Sequence, residues 1–445
     1  MLATLAVRLS EVTARFVPSA FAIALILTFF TFALAFGLAG APPSRIVIEW
    51  GNGFWTLVPF AMQMALVVLS GYLVSTAPVV DRAFARLAGL ARSPRAAVVL
   101  MALVSMGLAW VHWGLSLVGC AMFVRHVVRA EPRVDYRLLV CAAYFGMGAT
   151  WHAGLSASAP LLVATPGHFL ESTIGLIPVS ATIFSAFNLG LTVVVVSLLV
   201  VMAAVLHPPP GKARPIDPAF LDRLERFDPP RPPDTPSVAS RIDHSRALTL
   251  AVAACGAGWL AWYFATKGFA LTLDVLNFAF LMLAVLLHPS AASLLAASER
   301  GAGLLAGVVL QFPFYAGMYG VIQGTDLAQM VGEAIAAIAT PETLPVWLYW
   351  YSGLVNYFVP SGGSKWAIEA PYLVDAAMRL GVPTPQVVLA YAWGDMATDI
   401  IQPFWALPLL AAARIDFRDI MGYAAIVFVV YNVVVSCAFW LMPAL

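Results

Sequence analysis

The sequence is poor in charged residues. Only 11% of its 445 residues are Asp, Glu, Lys or Arg, whereas 61% are apolar, and a soluble protein of this length carries about a quarter charged residues. This scarcity excludes a water-soluble globular fold. The formal net charge of +1 also leaves no basic surface for a nucleic-acid partner, so membrane lipid is the expected surrounding.

Reactive and metal-binding motifs are scarce as well. The four cysteines, Cys120, Cys141, Cys255 and Cys437, lie in separate apolar segments without metal-type spacing and are interpreted as packing residues. The seven histidines are scattered, and neither HExxH nor GxSxG occurs. These absences weigh against a polytopic membrane enzyme, such as an acyltransferase or intramembrane hydrolase, which stays as the alternative function. The lack of a cluster of like intramembrane charges weighs against an ion channel.

Apolar runs of about 18 or more residues recur along the whole chain, as membrane-crossing helices require. The predicted fold class is therefore an all-α polytopic membrane protein. The first run is interpreted as an uncleaved span that follows an amphipathic lead-in at residues 1–17. Simple crossings are predicted near residues 19–38, 52–76, 178–206, 246–266, 270–288, 300–322 and 419–442.

Four further apolar segments carry helix breakers in their middles. Residues 136–165 and 384–413 are predicted to be broken helices. Residues 96–130 and 344–380 are predicted to be re-entrant hairpins, with "WVHWGLS" and "FVPSGGS" at their tips. The proline-rich stretch 207–245 reads as a cytoplasmic linker between a first half at 1–206 and a second half at 246–445.

The basic residues indicate an orientation in the membrane. If the N-terminus is cytoplasmic and each hairpin returns to its own side, most of the 24 Lys and Arg residues are cytoplasmic. Arg45, Lys267 and Arg379 fall on the outer side, and Lys365 lies at a hairpin tip. This distribution obeys the positive-inside rule and predicts a periplasmic C-terminus.

The two halves resemble each other at a constant offset of 248 positions. "GMGAT" at 146–150 aligns with "GDMAT" at 394–398, and "PLLVA" at 160–164 aligns with "PLLAA" at 408–412. The extra crossing at 246–266 puts the two copies in opposite orientations. Inverted repeats with helices interrupted near the membrane centre are typical of secondary transporters.

The interruptions expose four helix N-termini, at Gly114–Ser116, Ser156–Pro160, Ser361–Ser364 and Gln402–Pro403. Such backbone is tolerated only where it lines a cavity or is buried in protein, and its N–H groups and dipole favour a small anion. Nearby aromatic residues suit a short hydrocarbon tail; they are Trp113, Trp151, Phe358, Phe404 and Trp405. The predicted substrate is therefore a small carboxylate, and its predicted binding residues are His112, Gly114, Ser116, Ser156, Ser158, Ser361, Gly362, Gly363, Ser364, Lys365 and Gln402.

Asp395 and Asp399 lie four residues apart in the second broken helix. An intramembrane carboxylate is costly and is a functional hypothesis by default, so both residues, with Thr398, are predicted to couple transport to Na⁺ or H⁺. The alternative is that both carboxylates are structural and accept hydrogen bonds from N–H or hydroxyl groups, such as the hydroxyl of Thr398. Lys365 and Glu369, also four apart, either neutralise each other or bind the substrate.

Two histidines and two threonines have structural alternatives. His112 either caps its hairpin tip or takes part in substrate or proton binding. His152, next to the Ala153-Gly154 break, is interpreted as structural. Thr150 and Thr398 could bond back to their own helices.

Several long strings resemble the bacterial short-chain fatty acid transporter family, and the resemblance runs nearly end to end. They include "WGNGFWTLVPFAMQMAL" (50–66), "HWGLSLVGCAMF" (112–123), "LIPVSATIFSAFN" (176–188), "VPSGGSKW" (359–366) and "QPFWALP" (402–408). The resemblance implies the ion transporter superfamily fold, with a scaffold domain and a moving domain that holds two hairpins. It also implies a homodimer in the bacterial cytoplasmic membrane and elevator-type uptake of acetoacetate- and butyrate-like acids. Together with the intramembrane carboxylates, it predicts a secondary active transporter working by cation symport.

Overall fold

The computed structural model describes residues 20–209, 211–216, 220, 227–358, 360–402 and 405–442. All regular secondary structure in these residues is helical, which confirms the predicted all-α class. Seven of the described helical stretches are long and apolar enough to cross a membrane. The chain is therefore a multi-pass membrane protein. The predicted lead-in at 1–17 lies outside the described residues.

The helices follow one another with short connections. In the first half they are Ala20–Gly37, Pro43–Gly53, Val58–Thr76, Pro78–Ala88, Pro94–Val111, Trp113–Ala130, Tyr136–Ala149, Ser158–Leu162, Glu171–Ile174 and Ala186–Leu206. In the linker and second half they are Val238–Asp243, Arg246–Lys267, Leu273–Leu287, Ala291–Gly301, Ala306–Gly324, Leu327–Ile338, Leu344–Phe358, Gly362–Leu380, Thr384–Asp399, Ala406–Ala413 and Phe417–Trp440. Two 3₁₀ turns, Trp151–Ala153 and Ala302–Leu305, complete the set.

Local chemistry explains where several helices begin and end. Ser185 and Ser245 accept backbone N–H bonds at the starts of two apolar helices, and Asp416 forms a capping box with Asp419. These side chains satisfy N–H groups that have no partner within the helix. At the end of Gly362–Leu380, Gly381 has a φ of 69°, a left-handed conformation that suits glycine.

The helices differ from the predicted spans at several edges. The segment predicted to cross at 178–206 is helical only from Ala186. The span predicted at 300–322 is preceded by another helix, Ala291–Gly301, and a 3₁₀ turn. The helix Leu327–Ile338 was not among the predicted crossings; its 12 residues extend only about 18 Å, too short to cross alone.

The helices form two groups. We call the first the lateral group; it contains Ala20–Gly37, Pro43–Gly53, Val58–Thr76, Arg246–Lys267, Leu273–Leu287, Ala291–Gly301 and Ala306–Gly324. The second, the central group, contains the two hairpins, the two broken segments, Ala186–Leu206 and Phe417–Trp440. Burial varies widely among the spans: 94% of the apolar window in Tyr136–Leu162 is buried, against 17% in Arg246–Lys267.

The linker is attached to both groups. Asp135, at the start of the first broken segment, accepts a 2.9 Å hydrogen bond from the backbone N–H of Arg214, and Arg214 accepts one from the N–H of Tyr136. Farther along, Phe227 packs in an apolar cluster of the lateral group, with the guanidinium of Arg300 5.3 Å from its ring centroid. The described parts of the linker are thus held at two separate places.

Candidate functional site

A cavity of about 510 Å³ lies between the two helix groups. Both hairpin tips reach its wall, through Gly114 and Gly362, and both broken segments reach it, through Ser158 and Trp405. The lateral group closes it with the helix that carries Gln311. Its volume is in the range of small-molecule sites, and most of its wall is apolar. The four interrupted elements named in the sequence therefore do meet at one cavity.

The first hairpin turns through a single residue, His112, between Pro94–Val111 and Trp113–Ala130. His112 is fully buried, and its Nδ1 accepts a 3.2 Å hydrogen bond from the N–H of Leu115. This is the helix cap that the sequence offered as one interpretation. Gly114 packs so closely on the lateral group that a β-carbon built on Gly71 would lie 2.5 Å from its carbonyl carbon.

The second hairpin has a different tip. Its second arm begins at Gly362, and the N-cap Ser361 makes no side-chain capping bond; its hydroxyl instead donates to Ser364. Ser361, Gly362 and Gly363 all line the cavity. The N-terminus of this 19-residue arm therefore faces the cavity without the side-chain cap that closes the first hairpin.

The aromatic residues at the cavity include three of the five predicted from the sequence. The ring of Trp113 lies 6.1 Å from that of Trp151 and 5.4 Å from that of Trp405, both edge to face. The indole of Trp405 donates to the carbonyl of Pro360 and so fixes the second tip. Phe404, Pro403 and the side chain of Phe358 lie outside the described residues. These tryptophans give the cavity a rigid apolar wall.

A buried ion cluster lies behind the second tip. The ammonium of Lys365 is 3.1 Å from Oδ1 of Asp395 and 3.9 Å from Oε2 of Glu369, and it donates to the hydroxyl and carbonyl of Ser352. It also lies 4.2 Å from the ring centroid of Tyr391. The nearest carboxylate to Lys365 is therefore Asp395, a partner distant in sequence, and not Glu369 on its own helix.

His152 belongs to this cluster, a role that the sequence did not reveal. Its Nε2 accepts a 3.2 Å bond from the N–H of Ala159, so the ring proton lies on Nδ1, which is 2.9 Å from Oδ2 of Asp395. The ring is thus neutral and donates to the carboxylate. It also caps the short helix that follows the first break. The structural interpretation of His152 is consistent with this bond, and its link to Asp395 adds a place in the charged cluster.

Asp399 is held by donors from two other segments. Trp151 Nε1 donates to Oδ2 at 3.0 Å, and Asn356 Nδ2 donates to Oδ1 at 2.7 Å. Thr398 donates to the carbonyl of Gly353 at 2.8 Å. This bond reaches the first arm of the second hairpin and does not run back along the helix of Thr398. Thr150, in contrast, bonds partly to its own helix, at Gly146.

The remaining predicted residues are divided between wall and framework. Ser158 lies on the cavity wall. Ser156 accepts the N–H of Trp113, Ser116 donates to the carbonyl of Ser105, and both are buried within the central group. Gln402 is buried, and the half-helix predicted to start there begins at Ala406.

Within the described residues, the buried ion cluster has one lysine, Lys365, against three carboxylates, those of Glu369, Asp395 and Asp399.

Comparison with known proteins agrees with this arrangement. The family model described as "Short chain fatty acid transporter" matches residues 1–442. A protein of Escherichia coli (strain K12), provisionally named a short-chain fatty acid transporter, is 37% identical over 415 residues, covering 93% of this chain and 94% of that protein. A protein of Haemophilus influenzae with the same provisional name is 35% identical over 416 residues, covering 92% and 93%.

Two solved structures share the fold. The YdaH transporter of Alcanivorax borkumensis superposes with a TM-score of 0.60 at 17% identity, covering 94% of this chain and 98% of that one. MtrF of Neisseria gonorrhoeae, described as illuminating a class of antimetabolite efflux pumps, gives a TM-score of 0.55 at 16% identity, covering 95% of each chain. These likenesses concern the fold alone, and the sequence relatives carry the assignment: the chain belongs to the short-chain fatty acid transporter family, whose members are membrane transporters.

Proposed function

We propose that this protein is a secondary active transporter of short-chain monocarboxylates, of the acetoacetate and butyrate type, in the bacterial cytoplasmic membrane. The observation that carries the proposal is the cavity of about 510 Å³, on whose wall both hairpin tips and both broken segments meet. Its mostly apolar surface suits a short hydrocarbon tail, and interrupted helices at such a cavity are typical of secondary transporters. In this proposal the coupling ion is the sole cofactor.

The substrate carboxylate is proposed to bind at the second hairpin tip. The backbone N–H groups at Gly362 and Gly363 begin a long helix, and the positive end of its dipole faces the cavity. A second donor is at hand, because the indole Nε1 of Trp113 is buried and has no partner among the described residues. The hydroxyls of Ser158 and Ser361 complete a polar patch on this wall.

A positive ion is proposed to travel with the anion. A lone anion that enters a cell with a negative-inside potential must overcome about 2.3 kcal/mol per 100 mV. The buried cluster holds more carboxylates than cationic side chains, because Lys365 stands against Glu369, Asp395 and Asp399. The excess negative charge could be neutralised by Na⁺, with Thr398 and freed carbonyls as further oxygen ligands, or by protons.

An elevator-type motion is proposed for transport. The cavity lies between the lateral and central groups, so a displacement of the central group would carry both hairpin tips and the substrate together. In this proposal the lateral group is the scaffold. The orientation with a cytoplasmic N-terminus follows from the positive-inside rule, and the homodimer implied by the family resemblance stays a prediction.

Counterflow tests the function. Purified protein is reconstituted into liposomes preloaded with unlabelled acetoacetate, and uptake of labelled acetoacetate is followed, with protein-free liposomes as the blank for passive entry. A transporter accelerates labelled uptake by exchange, whereas neither a pore nor a hydrolase does. Na⁺ and H⁺ gradients, imposed separately, then identify the coupling ion. If Asp395 or Asp399 is needed for coupling, Asp395→Asn or Asp399→Asn loses gradient-driven accumulation; parental accumulation in both variants would contradict that role.

A further inference from the structure

Glu369 is a buried carboxylate without a hydrogen-bond donor. Its side chain is 1% exposed, and neither Oε1 nor Oε2 has a hydrogen-bond partner among the described residues. Lys365 is 3.9 Å away and is engaged at shorter distances by Asp395 and Ser352. An ionised carboxylate in such a place loses its hydration without compensation, whereas a neutral carboxyl group loses far less.

The other two carboxylates of the cluster have compensating partners, although Oδ1 of Asp395 has the ammonium of Lys365 at 3.1 Å as an ion-pair partner and no hydrogen-bond donor among the described residues. Asp395 accepts from the ring of His152 and lies against the ammonium of Lys365, and both oxygens of Asp399 accept buried donors. Donors of this kind stabilise the ionised form. Among the three carboxyl groups, Glu369 is therefore the one that has no hydrogen-bond donor among the described residues to stabilise its ionised form.

The groups that face Glu369 come from three helices. Its own helix contributes Lys365 and Tyr372. The first arm of the second hairpin contributes Tyr351, and the second broken segment contributes Tyr391 and Asp395. Two of the phenols bond to each other and the third donates to the carbonyl of Gly362. Among the described residues, the other helices packed on this arm bring no further charge to this position. Tyr315 of Ala306–Gly324 lies in an apolar cluster against which Ile368 packs, Ser158–Leu162 has no charged residue, and Glu333 of Leu327–Ile338 pairs with Arg379.

The first hairpin contains a similar inter-arm bond, made by an uncharged residue one position before the counterpart of Lys365 at the offset of 248. There Ser116 donates to the carbonyl of Ser105 at 2.9 Å. In the second hairpin, Lys365 donates to the carbonyl of Ser352 at 3.0 Å. Each bond joins the second arm of a hairpin to the first. A hydroxyl group makes this inter-arm bond in the first hairpin, and an ammonium makes it in the second.

The next residue on the same face repeats the comparison. Cys120 lies four residues after Ser116, with its sulfur 3.9 Å from the hydroxyl, and Glu369 lies four residues after Lys365, also at 3.9 Å. At the offset of 248 positions, Lys365 and Glu369 correspond to Leu117 and Ala121, which are uncharged. The first hairpin thus closes without a charged pair at these positions.

We propose that Glu369 binds the coupling proton. This assignment rests on the proposed symport and names its ion. On loading, the Glu369 carboxylate takes one proton from water and becomes a neutral acid, and the ammonium of Lys365 stays with Asp395. On release, the proton returns to water on the opposite side, and the new carboxylate competes with Asp395 for the same ammonium. One proton and one monocarboxylate anion then cross together without net charge.

The tip geometry links this proton to the substrate. A β-carbon on Gly362 would lie 2.7 Å from Oδ2 of Asp395, so Asp395 borders the backbone at which the substrate carboxylate is proposed to bind. When Glu369 draws Lys365 away, Asp395 is left with less compensation and repels an anion at Gly362. When Glu369 is protonated, Lys365 neutralises Asp395 and the anion is accepted. Proton and anion therefore load together.

The test compares Glu369→Gln with Glu333→Gln, a matched change at a half-exposed glutamate on another helix. Both are reconstituted, and labelled acetoacetate uptake is measured by counterflow and by accumulation under a pH gradient with the voltage clamped to zero. The parent and Glu333→Gln should accumulate acetoacetate. Glu369→Gln should keep exchange within about twofold, lose accumulation, and exchange at a rate that no longer falls as pH is raised from about 6 to about 8.

Accumulation by Glu369→Gln equal to that of the parent would overturn the assignment, as would a parent driven by a Na⁺ gradient and not by a pH gradient. If the variant is monodisperse but does not exchange, proton uptake on acetoacetate binding is measured in weakly buffered detergent solution. The assignment predicts about one proton fewer than in the parent, and equal proton uptake contradicts it. A parent that fails counterflow would instead refute the transport function itself.

Discussion

The indole Nε1 of Trp151 donates a 3.0 Å hydrogen bond to Asp399, a residue 248 positions later in the chain. That separation equals the offset at which the two halves resemble each other, so the bond joins matching positions of the two broken segments. Each break is therefore stabilised by the other. The two interruptions form one buried structure beside the cavity, and a change at either is expected to affect both.

Removing this bond should destabilise the protein. Trp151→Phe deletes the donor and leaves a buried carboxylate oxygen unsatisfied, which we expect to cost about 1–3 kcal/mol of unfolding free energy. Trp110→Phe is the control, because the Nε1 of Trp110 has no partner among the described residues. Thermal unfolding in detergent measures both. Equal losses of stability in the two variants would contradict a specific role for the Trp151 bond.

The second hairpin tip should not tolerate a side chain. In Gly362→Ala the new methyl group would lie 2.7 Å from Asp395, His152 and Trp151, so we expect acetoacetate counterflow to fall at least about tenfold, corresponding to about 1.4 kcal/mol. Gly107→Ala is the control, since its methyl group would meet nothing within 4 Å. Normal counterflow in Gly362→Ala would mean that the tip does not contact the substrate.

Lys365 and Asp395 should behave as a pair. Lys365→Met strands the Asp395 carboxylate, and loss of one partner of a buried ion pair costs about 3–5 kcal/mol. Adding Asp395→Asn should restore part of the lost stability, whereas adding Glu369→Gln should restore little. A double-mutant cycle of unfolding free energies measures the difference. Greater rescue by Glu369→Gln would show that the helical neighbour is the true partner.

Asp81 lies outside the membrane-spanning segments, on the short helix Pro78–Ala88, and it contacts Arg125 and His126 of Trp113–Ala130. Burial alone would raise the pKa of Asp81, but hydrogen bonds and charges from His126 and Arg125 hold that pKa below its ordinary value of 3.8. A lowered carboxyl pKa stabilises the fold above the unfolded-state value, and the effect is lost as pH falls through the folded-state value. The Tm difference between the parent and Asp81→Asn should therefore shrink as the pH falls below about 3.8. A difference that does not shrink on acidification below this pH would contradict this origin.

The positions of the chain interruptions could be predicted from the sequence. Hydropathy identified the apolar segments, and Gly, Pro and Ser marked the breaks, because backbone irregularity in an apolar segment leaves a compositional trace. The tips at His112 and Gly362 and the break at Trp151–Ala153 all lie within the predicted segments. The sequence grouped Trp113 and Trp405 near the interruptions but did not predict their ring contact at 5.4 Å.

The pairing of the charges could not be predicted. From spacing alone, Lys365 pairs with Glu369, since residues four apart on a helix are neighbours. In the folded protein Asp395 is closer, because the second broken segment crosses behind the tip. The bond between His152 and Asp395 likewise joins residues 243 positions apart. Contacts of this kind depend on how helices cross, and a single sequence carries no local signal for them.

The close approach of Gly71 to Gly114 has a mechanical consequence. At this point a helix of the lateral group meets the first hairpin tip backbone to backbone, with no side chain of either residue between them. A smooth contact offers no ridges that must disengage, so one surface can slide along the other with little change in rotamers or packing. If the central group moves during transport, this is where friction would be lowest, and a large side chain at Gly71 would slow the passage between inward- and outward-facing states even if substrate binding were unchanged.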